Sequence, residues 1–426
     1  MATKPLDALT DVLEPERPAA RTDKDQGPGG GRAVWGAALL FYLLAAFEVI
    51  IMVTPFTLYF YSVYAPVLTW LERGPWTAWL TAFFLPHITY TGDPFLVALA
   101  YAGPTLLTLG LGIFFVCAGQ VYGAKLFRKG VVSGGLYRVI RHPQYLGLGI
   151  AGAGLLLYWP RFFILVTFIS MLFVYYLLAR NEEGRMLRKF GAGYAAYLER
   201  TPMFLPGNPG GCLFRALFGR PERRGPILFG LYAFSLVTAI AFAFGFRAYS
   251  EGLVPQVWRD GLVAVAMSPS DPARLNRTLA QAAQHPEVQA MLAKYHARPG
   301  HTLVAYVLPR EYMMLHLIAD MDEHKAHHGE GEQGGVVAVL KHLGEMYALK
   351  PMRQLRDGAG ATEQRIIFTE ALDPTGQSVR REEALDISVQ RYPLFFADYD
   401  AQAEQVTLTM ETPRRHTWGS IPVPAF

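Results

Sequence analysis

Two short stretches of this chain hold side chains whose types and spacing suit chemistry on a small charged ligand. The first reads Gly134-Gly135-Leu136-Tyr137-Arg138-Val139-Ile140-Arg141-His142-Pro143-Gln144-Tyr145-Leu146-Gly147. Its paired glycines allow a tight turn. Pro143 disfavours helix for the residue before it and favours a helix start just after. Arg141 and His142 are therefore expected at the mouth of a new helix, where the helix N-terminus and a guanidinium favour an anion such as a carboxylate. The second stretch holds Asn181-Glu182-Glu183, then Leu187, Phe190-Gly191, Tyr194, Tyr197, Pro202, Phe204 and Pro206. A carboxylate there can pair with a ligand ammonium or accept ribose hydroxyls. A ligand with an amino-acid end carries both charges, and a basic mouth facing an acid pair answers both.

The elements between and around these stretches must bring them together. Apolar runs at 145–158 and 162–178, separated by Trp159-Pro160-Arg161, read as a helical hairpin that returns the chain to the side it left. The Glu pair then meets the Arg-His mouth. Further apolar runs at 34–54, 95–116 and 226–246 approach the roughly 20 residues that cross a bilayer's hydrocarbon. The first carries one charge, Glu48, and the second holds Pro104 as an expected kink. Tyr59, Tyr61, Tyr64, Trp70, Trp76 and Trp79 crowd residues 55–94, as aromatic residues do at a membrane boundary, and 76–86 reads as a short interfacial or re-entrant helix. Leu187, Phe190, Tyr194 and Tyr197 recur on one helical face, and the two tyrosines read as packing or interface anchors.

Hydrophobic residues make up 52% of the 426 and charged ones 17%, against about 25% charged in an ordinary soluble domain. Residues 1–247 carry 22 Lys and Arg against 13 Asp and Glu, whereas 248–426 carry 17 against 22. The basic excess belongs to the membrane half, and no basic stripe on a soluble face suggests nucleic acid. Loops 119–142 and 179–225 hold 14 basic residues between them, while the loop between the first two spans holds only Arg73. The positive-inside rule puts the two basic loops in the cytoplasm and the tail from 248 outside it.

The expected fold is an all-α transmembrane helical bundle of about five crossings, the hairpin counted as two, with a C-terminal soluble α+β domain. Residues 1–33 form a disordered tail, 34–94 the first span and interfacial region, and 95–206 the core. Residues 207–247 are a linker and the last span, and 248–426 the soluble domain. In that domain, helices are expected at 272–296 and 335–347, and strands at 302–308, 365–369, 385–389 and 406–410. Cys117 and Cys212 give neither a disulfide framework nor zinc spacing. Asp320, Asp322, Glu323, His324, His327, His328 and Glu330 form a His- and acid-rich cluster, read as a solvated polar helix end and not as a metal site.

The pattern Leu-Tyr-Arg-x-x-Arg-His-Pro-x-Tyr-x-Gly, an apolar hairpin, Glu-Glu, Phe-Gly-x-x-Tyr-x-x-Tyr and a closing Pro-x-Phe-x-Pro resembles the isoprenylcysteine carboxyl methyltransferase and phospholipid methyltransferase superfamily. The likeness covers about residues 95–206; Gly135-Leu136 stands where Gly-Pro is frequent. It implies a membrane methyltransferase that uses S-adenosylmethionine on a lipid or lipophilic amine, thiol or carboxylate. It places His142, Tyr145, Glu182 and Glu183 around the cofactor, with Tyr137, Arg141 and Leu146 accessory. Glu182, Glu183 and Arg141 are the expected catalytic groups, either Glu serving as a base for an ammonium acceptor. A composition rich in Ala, Gly, Arg and Leu fits a bacterium, so the expected setting is a multi-pass protein of the inner membrane, with catalytic loops cytoplasmic and membrane lipids as partners. A sterol-type reductase using NADPH shares Arg-His-Pro-x-Tyr, but the Glu-Glu and Phe-Gly-x-x-Tyr-x-x-Tyr ending favours the methyltransferase. The third alternative is a non-enzymatic anchor for the C-terminal domain.

Overall fold

The computed structural model describes residues 47, 49–62, 66–86, 93–127, 132–219, 224–259, 261–267, 270–296, 302–310 and 363–412. The tail 1–33, most of the first span with Glu48, the expected helix 335–347 and the acid- and His-rich cluster lie outside them.

Among the described residues, three helices are long and apolar enough to cross a membrane: α3 (Pro94–Leu126), α5 (Phe162–Arg200) and α7 (Arg224–Gly252). Among the described residues, the apolar helices α1 (Val49–Ser62) and α4 (Pro143–Tyr158) are shorter than a full crossing. The count of five crossings therefore goes beyond these helices. The hairpin itself is present as α4 and α5, turning at Trp159-Pro160-Arg161. Asp93 starts α3, accepting from Leu96 N–H at 2.9 Å, with Pro94 in the first helical position. The helix runs unbroken through Pro104.

Two compact units emerge. The first is built on Leu106–Ala153 and Phe168–Phe234, with the chain up to Tyr61. In it, α3 and α4 meet backbone to backbone. A Cβ on Gly110 would lie 2.2 Å from the amide nitrogen of Ala151, and one on Gly147 would lie 2.9 Å from the carbonyl of Gly110. Small residues let apolar helices approach this closely where water supplies no driving force. Polar ties hold α1 in place: Tyr59 Oη donates to the carbonyl of Gly152 at 2.8 Å, and Phe56 N–H donates to Tyr175 Oη at 3.1 Å. Inside α5, Gly191 adopts φ 55° and ψ −130°, a conformation strained for residues with a Cβ. That break re-aims residues 192–200.

The second unit holds Ser62–Thr105, Gly154–Thr167 and Ser235–Phe426. Helix α2 (Pro66–Glu72) opens it. Residues 76–86 are not the expected helix. A single 3-10 turn, Ala78–Thr81, leads into an extended strap whose Phe84 N–H donates to Pro160 O at 2.7 Å, and Phe162 N–H donates to Ala82 O at 3.1 Å. Pro86 and the pull of these main-chain partners favour the strap over a helix. Arg161 lies buried there, donating to Thr81 O and stacked over the Phe83 ring at 4.1 Å.

The C-terminal part is α+β, as its sequence suggests. Strands β1 (Gln256–Arg259), β2 (Leu262–Ala266), β3 (Leu303–Pro309), β4 (Glu363–Leu372), β5 (Gln390–Asp400) and β6 (Gln405–Glu411) form one sheet in sequence order. All neighbours are antiparallel except β2 and β3, whose parallel pairing needs the crossover supplied by α8 (Pro272–Ala282) and α9 (Pro286–His296). The single helix expected over 272–296 is two, because Pro286 lacks an N–H and starts a new one. Leu275, Leu279 and Val288 pack on one sheet face among Ala264, Ala305, Phe368 and Phe395. The strand expected at 385–389 is instead a turn whose Leu385 and Val389 cover the other face.

Candidate functional site

The first unit gathers both sequence stretches around one cavity of about 510 Å³. A 3-10 turn, Gly135–Arg138, buries Tyr137 beside the start of α4. Tyr137 Oη donates to Gln144 Oε1 at 3.0 Å, and its carbonyl accepts from Tyr197 Oη at 2.6 Å. Burial pushes the Tyr137 hydroxyl well above its ordinary range, so it acts as a donor and not as an acid. Pro143 begins α4 as expected, and the two residues before it are fixed by main-chain bonds. Arg141 N–H donates to Pro202 O at 2.9 Å and His142 N–H to Met203 O at 3.1 Å. The closing Pro-x-Phe-x-Pro stretch is therefore a strap that pairs with the Arg-His stretch, and Phe204 packs near the His142 ring with centroids 5.9 Å apart.

Arg141 turns much of its guanidinium to acceptors of the protein itself. Its Nη1 donates to the carbonyls of Leu198 and Thr201, each at 2.6 Å, and its Nε sits 2.7 Å from Glu183 Oε1, the N–H directed off the line of approach. Glu183 also accepts from His142 Nε2 at 3.2 Å. The basic mouth and one half of the acid pair are thus tied to each other and to the end of α5. The meeting of the Glu pair with the Arg-His mouth follows the expectation, whereas neither stretch carries a signal for the carbonyl partners, which lie 57 and 60 residues away along the chain.

Glu182 takes the other side. Its side chain is 37% exposed against 13% for Glu183, and it lines the cavity while Glu183 does not. Tyr145 Oη donates to Glu182 Oε2 at 3.3 Å. His142, its side chain 3% exposed, has Nε2 committed to Glu183, and its Nδ1 lies 3.7 Å from Glu182 Oε2, beyond hydrogen-bond reach. The His142 and Tyr145 rings stack at 5.5 Å, and Tyr145 stacks on Tyr175 at 4.9 Å.

Tyr137, Arg141, His142, Tyr145 and Glu182 all line the cavity, whereas Leu146 faces elsewhere. Tyr194 and Tyr197, expected as packing anchors, also line it, because the break at Gly191 turns them back over it. Several contributors carry no mark in the sequence. Ile51 and Met52 of α1 form part of the wall, and Lys125, Arg185 and Lys189 add basic groups. Gln144 sits in a position of the Arg-His-Pro stretch that pattern reading leaves free, and Tyr175 is hidden in an apolar run. Among the described residues no cluster of His, Cys, Asp and Glu could hold a metal ion.

Residues 88–193 match the family model described as phospholipid methyltransferase. The resemblance carried by the Arg-His-Pro and Glu-Glu stretches is borne out over that segment, about a quarter of the chain. No curated protein and no solved structure gives a significant match to the chain.

Proposed function

We propose that this chain is a membrane methyltransferase, the activity that the matched family implies, and that it uses S-adenosylmethionine on a lipid or lipophilic acceptor. One observation carries the reading: Glu182 and Tyr145 meet over a cavity of about 510 Å³, walled by aromatic rings at the start of an apolar hairpin. That volume falls within the range of about 300–1,000 Å³ usual for small-molecule sites.

The residues present fit such a cofactor. Glu182 offers a carboxylate to an ammonium or to ribose hydroxyls, and His142 Nδ1 is a buried polar atom with no hydrogen-bond partner. Tyr145 and His142 would hold the cofactor together with Glu182, and Tyr137 would act through Gln144 on the wall. Bound there, S-adenosylmethionine supplies an electrophilic sulfonium methyl. The chain's own work is to hold an acceptor in line and exclude water, and good orientation contributes about 7–11 kcal/mol to such reactions. Where the acceptor arrives as an ammonium, Glu182 takes its proton, since it is the carboxylate open to the cavity. Arg141 and Glu183 are positioning groups, clamping His142 and the strap through the contacts that hold them. The basic loops are read as cytoplasmic, with the acceptor entering from the bilayer.

The test is to incubate membranes bearing the chain with methyl-labelled S-adenosylmethionine and count label in lipid, protein and headspace. Label in one fraction that drops about 100-fold or more in Glu182→Gln is the expected result, the scale of general-base loss. Unchanged labelling in that variant would remove Glu182 from the chemistry. Saturable NADPH binding without S-adenosylmethionine binding would favour a reductase.

A further inference from the structure

Between the strap and α7 lies a short helix, α6 (Pro209–Phe218), that is apolar on one side and buries no residue. Asn208 caps it, accepting from Gly211 N–H, and Gly219 closes it at φ 65°. Leu213 and Leu217 are 61% and 64% exposed. At about 100° per residue, Leu213, Phe214, Leu217 and Phe218 share one arc of the helix, with Cys212 and Arg215 opposite. Arg215 Nη2 reaches Cys212 Sγ at 3.6 Å, keeping the two together on the polar side.

Chain connectivity fixes how far α6 can stand from the membrane. Upstream, Pro202 and Met203 are bonded to Arg141 and His142, the residues just before the apolar helix α4. Downstream, five residues separate Phe218 from Arg224, where the membrane-length helix α7 begins. That tether reaches at most ~20 Å. The surrounding charge suits lipid headgroups: residues 215–224 contain Arg215, Arg220, Arg223 and Arg224 against Glu222 alone. An amphipathic helix with Arg215 on its polar side and a basic sequence after it, tethered at both ends to membrane segments, has the design of one lying in the interface.

We infer that α6 is a lipid-surface helix, its Leu213, Phe214, Leu217 and Phe218 seated below the phosphates of the bilayer that holds α7. The arginines meet anionic headgroups. Seated so, α6 pins the strap 202–206 that closes over Arg141 and His142, and it does this whatever reaction the cavity supports.

Cys212 makes the test direct, because the other cysteine, Cys117, is buried. The full chain, in phosphatidylcholine vesicles with one fifth phosphatidylglycerol, carries a small fluorophore at native Cys212. In Cys212→Ser backgrounds the fluorophore sits at Leu213→Cys or Leu217→Cys. Labels at 213 and 217 are expected to be quenched by nitroxides at carbon 5 of the acyl chain at least threefold more than by aqueous iodide, with the order reversed at 212. Iodide quenching at 213 and 217 equal to that at 212 would overturn the inference by placing the helix in water. Shielding of 213 and 217 from both quenchers would overturn it in favour of a protein partner or a second copy. The chain labelled at native Cys212, with no substitution, gives an independent check: quenching by a headgroup-borne nitroxide is expected, and its absence overturns the inference.

Discussion

At the scale of single residues, the two adjacent glutamates are separated by their partners. Glu183 is engaged by Arg141 and His142, whereas Glu182 keeps an open side toward the cavity and receives Tyr145. Their variants should fail in different ways. Glu182→Gln is expected to fold and unfold like the parent while losing cofactor affinity and turnover. Glu183→Gln should lower thermal stability by about 3 kcal/mol, the scale for breaking a largely buried ion pair, and weaken cofactor binding at the same time. Parallel unfolding curves and cofactor titrations of the two variants check this, and equal stability would contradict the assigned roles. The residue types at this site are legible in the sequence, and so is the family they resemble. Which glutamate opens to the cavity is not, because both share one motif and differ only in the direction their helix turns them.

At the scale of elements, two glycines determine whether the site assembles. Gly191 breaks α5 at a backbone conformation that costs a residue with a Cβ about 1–3 kcal/mol. Gly191→Ala should therefore favour a straighter α5 and displace Tyr194 and Tyr197 from the cavity. The expected outcome is a rise in the dissociation constant for S-adenosylmethionine of tenfold or more, read by equilibrium dialysis. Gly110→Ala would place a methyl 2.2 Å from the backbone of Ala151, so α3 and α4 must separate. Its expected signature is a loss of about 2 kcal/mol or more in detergent-solubilised unfolding, in the range of overpacked cores. The apolar runs mark α3, α4, α5 and α7 well because a bilayer demands length and apolarity in the sequence itself. The strap after Trp76 was legible only as an aromatic, membrane-boundary stretch. Its extended form depends on the hydrogen bonds that join Phe84 to Pro160 and Ala82 to Phe162 at the hairpin tip.

At the scale of the whole molecule, the second unit carries a half-buried acid that couples its stability to pH. Burial pushes the Glu72 carboxyl up to about 7, against the pull of Arg161 and Arg73 and a hydrogen bond from Tyr392. With the folded value raised, the folded chain binds a proton between about pH 4.5 and 7 that the unfolded chain releases. Stability from this group therefore increases as pH falls from about 8 to about 5 and is lost as pH rises through 7. Glu72→Gln should flatten that dependence and raise the unfolding temperature at pH 8, with an effect on the order of 1–3 kcal/mol. A pH series of thermal melts on both proteins tests the sign.

By itself the sequence determined the division into apolar helices and an α+β tail, the two stretches that form the site, and the family they resemble. These follow from local quantities: the length and apolarity that a bilayer requires, the period of side chains, and the turn chemistry of Gly and Pro. Only tertiary structure decided that Arg141 bonds the carbonyls of Leu198 and Thr201, that Glu182 is the carboxylate open to the cavity, and that Tyr194 and Tyr197 turn onto it. It also made 385–389 a cover for the sheet. Each of these outcomes rests on hydrogen bonds and packing between residues dozens of positions apart, where the direction of a side chain is set by its neighbours and not by its own sequence window.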